Sequence, residues 1–259
     1  MKVDNIDIAM TCYNCAPFIP EAIQSILNQS YSNWTIYFVD DASEDNSLDV
    51  AVAYKNLLGD DWYREEGLSP SQIILIKRQV NGGYGPALKT AIEAGNGDLI
   101  AIVDADDAIV SDALERMVQE HRKNPKAAVV YSRSFWCDAN MHPYKYGPSG
   151  PIPKGHTLLD CLDGGPKTGR VSHLKVLKRR FYEMTAGVGD LRKRIDKDLM
   201  LKMEEVGDLV FIPDVLYYYR DHPRNLTNLY FKMDKEDRRM ISEQSRKILI
   251  NAKKRRGLL

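Results

Sequence analysis

Up to about residue 132, short apolar runs alternate with segments whose apolar side chains recur at helical spacing. This alternation predicts an α/β unit: a mostly parallel, Rossmann-like sheet with helices on both faces. Ile6, Ile8 and Met10 mark a first strand, and Phe18, Ile19, Ala22, Ile23, Ile26 and Leu27 a helix with Pro20 in its first turn. Trp34 to Val39 is a second strand, followed by a helix carrying Leu48, Val52, Leu57 and Leu58. Residues 59–72 are polar and turn-rich, as in a surface insertion. Ile73 to Lys77 is a third strand, and a glycine-rich turn then opens a helix ending near Gly95. Leu99 to Asp104 is a buried strand, Ser111 is placed to cap a helix through Glu120, and Ala127 to Ser132 is a further strand.

Beyond that point the pattern loosens. Residues 138–155 are rich in Pro, Gly and Tyr, the composition of a binding loop or lid. Leu199, Met203 and Val206 belong to a helix, strand-like sequence follows at 209–213 and 215–220, and a charged helix starts near Asp234. The expected division is one α/β domain over 1–225, in two halves (1–107 and 108–225), and a basic helical tail over 226–259.

The 36 basic and 36 acidic side chains cancel, which argues against nucleic acid as a partner. Four cysteines are too few for a disulfide framework, and Cys12 and Cys15 read as reduced thiols in a loop. The opening residues lack the apolar run of a signal peptide, and no stretch has the length of a membrane span; a cytoplasmic protein is expected. The Asn225-Leu226-Thr227 sequon reads as incidental.

Ligands of open parallel sheets bind at the carboxyl ends of the strands. Three of those ends are polar here: Thr11-Cys12-Tyr13-Asn14, Asp40-Asp41-Ala42-Ser43 and Asp104-Ala105-Asp106-Asp107. Carboxylates gathered in one crevice need a compensating positive charge. A divalent cation with oxygen ligands supplies it and commonly carries a diphosphate, so the residues themselves point to a nucleotide diphosphate and a metal in one cleft.

Four blocks in order carry a resemblance to family 2 of the glycosyltransferases. They are TCYN-x3-FI-x-EAI-x-SIL-x-QSY-x-NW-x-IYFVDDASEDNS, NGGYGPALKTAIEAGNGDLIAIVDADD with its D-x-D signature, IDKDLMLKMEEVG and VLYYYRDHPRNLT. The resemblance implies the GT-A fold and an inverting transfer of sugar from a nucleotide-sugar, by family habit a UDP-sugar. The acceptor would be a glycan, a lipid-linked saccharide or a protein. It implies that Thr11, Tyr13 and Asn14 line the nucleotide pocket, that Asp41 accepts a hydrogen bond from uracil, and that Asp104 contacts the ribose beside Ala105. Asp106, with Asp107, would hold Mn²⁺ or Mg²⁺, with His222 as a third ligand or diphosphate contact. Asp196 falls on the family's general base, although Ile195 stands where Glu is usual. His173, Asp198 and Arg220 are acceptor-side candidates, and Lys89 and Arg220 could neutralise phosphate.

Plainer readings stand beside these. Asp40 and Ser43 are placed to cap the next helix, Gly82 and Gly83 to form a tight turn, and His173 to be a satisfied structural histidine. The basic stretch Arg246 to Arg256 reads as a solvated helix face, or as a weak peripheral contact with anionic lipid. A nucleotidyltransferase would share the cleft but needs a triphosphate-gripping loop that Thr11 to Phe18 does not supply. A non-catalytic binding module would not need Asp196.

Overall fold

The computed structural model describes residues 4–65, 73–189, 191 and 194–259. Nine strands form one sheet in the order β3-β2-β1-β4-β8-β6-β9-β5, with β7 paired to β6. Strands β1 (Ile6–Cys12), β2 (Trp34–Asp40), β3 (Ile73–Lys77) and β4 (Leu99–Ile102) pair in parallel. Helices α1 (Ile19–Leu27), α2 (Ser47–Glu65) and α3 (Tyr84–Ala94) connect them. The predicted alternation is therefore present, with β1 at the centre of this half. Two apolar clusters fill the two faces, one built on α1 and the other on α3.

The second half of the sheet departs from simple alternation. β5 (Ala108–Ile109) and α4 (Ala113–Lys123) precede the long β6 (Ala127–Cys137), and β7 (Pro143–Tyr146) folds back on it. After α5 (Leu158–Leu162), β8 (Lys175–Lys178) inserts antiparallel between β4 and β6. The short α6 (Arg179–Tyr182) and then α7 (Ile195–Glu204) lead to β9 (Asp208–Arg220), which runs parallel to β6. The two strand-like pieces around Pro213 are thus one strand, its register with β6 shifting near Arg133. Residues 138–155 contain a β-strand and are not a free loop.

Several local expectations are corrected. The surface insertion expected over 59–72 is helical through Glu65, as α2 continues; 66–72 lie outside the described residues. Asp112, not Ser111, is the N-cap of α4, and it makes no side-chain cap bond. α2 starts at Ser47, whose N–H donates to Asp45 Oδ1 at 2.9 Å, so neither Asp40 nor Ser43 caps it. Cys12 and Cys15 are joined in a disulfide instead of being free thiols.

Asp7 lies within β1 and is 1% exposed. Both faces of a central strand are covered, so its carboxylate requires internal partners. Arg179 Nη2 donates to it at 2.8 Å and the Gly97 N–H at 2.6 Å. A Cβ on Gly95 would meet Asp7 Oδ2 at 2.3 Å, so the absent side chain is what lets this loop approach. Burial still pushes the Asp7 carboxyl above its ordinary range.

The C-terminal segment comprises α8 (Leu226–Lys232) and α9 (Lys235–Arg255). Asn225 caps α8 by accepting from the Asn228 N–H at 3.0 Å, which gives the sequon residue a structural task. Ile241, Ile248 and Ala252 of α9 are buried. Its basic end pairs with acidic groups elsewhere: Lys253 with Asp163 at 2.5 Å, Arg255 with Glu205 at 2.7 Å and Arg256 with Glu204 at 2.8 Å. Among the described residues no helix is long and apolar enough to cross a membrane.

Candidate active site

The carboxyl ends of β1, β2 and β4 open on one crevice, as the parallel register requires. At its β2 side Asp41 is 2% exposed. Its Oδ1 accepts from the Gly82 N–H at 3.1 Å and from the Arg78 guanidinium, and its Oδ2 from the Gly83 N–H at 2.7 Å. The glycine turn is therefore held by Asp41, with Gly83 at φ 85° where a side chain would be strained. A carboxylate offers about four acceptor positions, so three internal bonds leave room for one from a base.

Asn14 is bound into the scaffold. It has φ 54°, its N–H donates to Ser43 Oγ at 3.0 Å, and its Oδ1 accepts from the Glu44 N–H at 2.8 Å. Its side chain shapes the loop that follows Thr11 at the end of β1 and carries the 46% exposed Tyr13. Ala105 is buried, and its N–H donates to the Thr11 carbonyl at 3.3 Å, tying β4's end to β1's. Lys89 is half-buried on α3.

Asp104, Asp106 and Asp107 place acceptor atoms within 4.8 Å of one another. Asp107 is the buried member: Oδ2 accepts from Tyr217 Oη at 2.6 Å and Oδ1 from the Arg220 N–H at 2.7 Å. Asp106 faces outward, with His222 Nε2 3.0 Å from its Oδ2. Phe18 packs on the His222 ring at 4.4 Å, fixing its orientation. Arg220 is 2% exposed and donates to the Asp106 carbonyl at 2.7 Å, the Ala139 carbonyl at 2.6 Å and Glu21 Oε2 at 2.6 Å. The guanidinium therefore supports the acidic loop from behind.

The cluster's electrostatics follow from crowding. Burial, with repulsion from Asp106, pushes Asp104 up to about 8. Burial and the Asp106 charge hold Asp107 well above the usual carboxylate range. Tyr84 lies beside Asp104, its buried hydroxyl directed at that carboxyl. Carboxylate oxygens with one imidazole form a donor set suited to Mn²⁺ or Mg²⁺, and a cation there would restore the ionised state of the acids. The residues present fit such an ion.

Asp196, in the first turn of α7, faces the same crevice with its side chain 43% exposed. Lys175 Nζ donates to its Oδ1 at 2.6 Å. Burial raises the Asp196 carboxyl, the charge and hydrogen bond of Lys175 act against it, and the carboxyl lies below its ordinary value. His173 stacks on Tyr217 at 4.9 Å, with Nε2 3.7 Å from Asp104 Oδ2. Burial pushes it down to about 3, so it is neutral, and its Nδ1 has no partner among the described residues. Asp198 is held elsewhere, in an ion pair with Lys202 at 2.7 Å.

Lys175, Tyr84, Arg78 and Tyr217 are the site residues that motif reading passes over. Tyr84 and Tyr217 lie inside quoted blocks, and Arg78 directly follows a strand end. Lys175 carries no signal, because a lysine in a short strand reads as solvent-facing.

The chain is similar to several known proteins. A chondroitin synthase of Escherichia coli is 24% identical over 245 residues, 94% of this chain and 33% of that protein. A hyaluronan synthase of Pasteurella multocida is 24% identical over 246 residues, 94% of this chain and 23% of that protein. The chain thus spans about a quarter to a third of the length of these relatives. S. aureus TarS, solved with UDP-GlcNAc, superposes with a TM-score of 0.65 at 17% identity, covering 84% of this chain and 59% of that one. The mannosyltransferase PcManGT of Pyrobaculum calidifontis, solved with GDP-Man and Mn²⁺, gives 0.63 at 17% identity, covering 88% and 60%. These structures share the fold, a GT-A arrangement. Residues 7–184, more than half of the chain, match the family described as glycosyl transferase family 2, and the chain belongs to that family.

Proposed function

We propose that this chain transfers a sugar from a UDP-sugar to an acceptor hydroxyl with inversion, using Mn²⁺ or Mg²⁺ at Asp106 and His222 and Asp196 as general base. The observation that carries this reading is the meeting, in one crevice, of the three-carboxylate cluster with an exposed carboxylate kept ionised by a buried lysine. The bound nucleotide-sugars and Mn²⁺ of the structural neighbours support the same reading.

Asp41 and Arg78 bind the base, with Thr11 and Tyr13 beside them, and Asp104 with Tyr84 the ribose side. Asp106 and His222 hold the cation, which when bound offsets the charge growing on the departing diphosphate. Asp107 keeps Asp106 in place through Tyr217 and the Arg220 backbone. Asp196 takes the proton from the acceptor hydroxyl as its oxygen bonds to the anomeric carbon. The bond from that carbon to the diphosphate oxygen breaks on the opposite face, and the nucleoside diphosphate leaves. Among glycan, lipid-linked saccharide and protein acceptors, the two synthases named above favour a glycan.

Incubating the protein with a panel of UDP-sugars and Mn²⁺ tests the proposal. UDP release without pyrophosphate consumption is expected. Pyrophosphate consumption would indicate a nucleotidyltransferase, and binding without UDP release a non-catalytic module.

A further inference from the structure

Lys175 is fully buried, yet it belongs to the site. Its strand is paired on both sides, Lys175 opposite Ile102 of β4 and Tyr131 of β6, so its backbone is fixed in the middle of the sheet. Its side chain is 1% exposed and its ammonium reaches Asp196 Oδ1 at 2.6 Å. Burying an ammonium is costly unless it is paired, and the partner here sits on a less securely tethered element. α7 begins after Arg194, which has left-handed φ of 61° and makes no side-chain cap bond. The Lys175 contact ties that turn to the sheet.

The charge has a second consequence. Asp196 looks toward Asp104, His173 and Tyr84, with Lys175 beside it, while Asp198 on its own helix is neutralised by Lys202. His173 is neutral and Tyr84 uncharged. Without the ammonium, Asp196 would face the acidic cluster unsupported, and proton uptake would relieve the repulsion.

We propose that Lys175 is a positioning residue for the transfer: from the rigid centre of the sheet it holds the Asp196 carboxylate ionised and aimed at the acceptor oxygen. The inference rests on Asp196 being the base, and its test separates the two claims. The carboxyl ¹³C resonance of Asp196, assigned by its loss in Asp196→Asn, is titrated in the parent, Lys175→Met and Lys175→Arg. UDP release from an active UDP-sugar with Mn²⁺ is followed against pH in the same proteins.

In Lys175→Met the carboxyl midpoint should rise by roughly 1–3 in pKa, the usual effect of removing an opposite charge at this range. The acid limb of the rate should move up with it. Turnover at neutral pH should fall about tenfold or more with UDP affinity kept, and Lys175→Arg should restore most of it. A merely structural lysine would lower stability without moving either titration. Lys175→Gln takes the place of Lys175→Met if the latter does not fold. An unshifted midpoint in whichever variant folds overturns the proposal. Normal turnover by Asp196→Asn overturns the base assignment instead, and the aim given to Lys175 falls with it. A dead Asp196→Asn with unchanged Lys175 variants overturns the positioning role alone.

Discussion

Asp196 and Asp198 lie two residues apart on α7 yet have different lysine partners. Asp196 is bound by Lys175 of the sheet at 2.6 Å and Asp198 by Lys202 of its own helix at 2.7 Å. One carboxylate therefore faces the crevice and the other is folded back on the helix. A general base contributes about 10²–10⁴ to a rate. Asp196→Asn should lose at least about a hundredfold in transfer, within that range, while binding UDP normally. Asp198→Asn should lose far less. The reverse order of the two variants in a UDP-release assay would move the base by two residues.

Asp41 binds the glycine turn and Arg78 as well as facing the nucleotide pocket. Asp41→Ala should weaken UDP by about 1.5–3 kcal/mol, the worth of one charged hydrogen bond. It should also lower the melting temperature, because Gly82 and Gly83 lose their acceptor. Calorimetric titration and a thermal melt together check this; unchanged UDP affinity with a lowered melt would confine Asp41 to the scaffold.

Asp7 and Arg179 form a pair whose side chains are 1% and 12% exposed. Removing one member of a buried pair typically costs about 3–5 kcal/mol. Arg179→Met should destabilise by that order in urea unfolding. The Asp7 carboxyl is already raised by burial, and losing Arg179 raises it further. A raised folded pKa gives stability at low pH that is lost as pH rises, so the deficit of the variant should shrink on acidification. A deficit that does not change with pH would contradict this.

The sheet's first half and the acidic loops were legible because each depends on local pattern: apolar runs of strand length, and polar residues at their ends. What stayed hidden depends on pairing between distant segments. β8 slips antiparallel between β4 and β6, and nothing in Lys175 to Lys178 marks that place. Once inside the sheet, Lys175 changes from a solvent-facing residue to the partner of Asp196. Arg220, which its motif offers as a phosphate cation, also bonds the Asp106 and Ala139 carbonyls and Glu21, three contacts from distant segments that no motif displays. The two strand-like pieces 209–213 and 215–220 join as β9, which passes through Pro213 and Asp214 at a register shift.

His121 is 3% exposed, its Nε2 lies 3.0 Å from the Val176 carbonyl, and burial pushes it down to about 4. Its folded pKa lies below the ordinary value of about 6.5, so the unfolded chain binds the extra proton between the two. Stability from this group is complete above pH about 6.5 and is lost as pH falls toward 4, by up to ~3 kcal/mol. His121→Gln should flatten the pH dependence of unfolding free energy across that window. An unchanged slope would show that His121 does not contribute to it.

If the acidic cluster binds a divalent cation together with the nucleotide, UDP affinity must depend on that cation and on Asp106. Titration calorimetry of UDP, with Mn²⁺ and then with EDTA, in the parent and in Asp106→Ala, tests it most directly. Binding at least about tenfold tighter with Mn²⁺ is expected in the parent, equal to about 1.4 kcal/mol, with no such gain in a folded Asp106→Ala. Equal UDP affinity with and without Mn²⁺ in the parent, or an undiminished gain in Asp106→Ala, would contradict it.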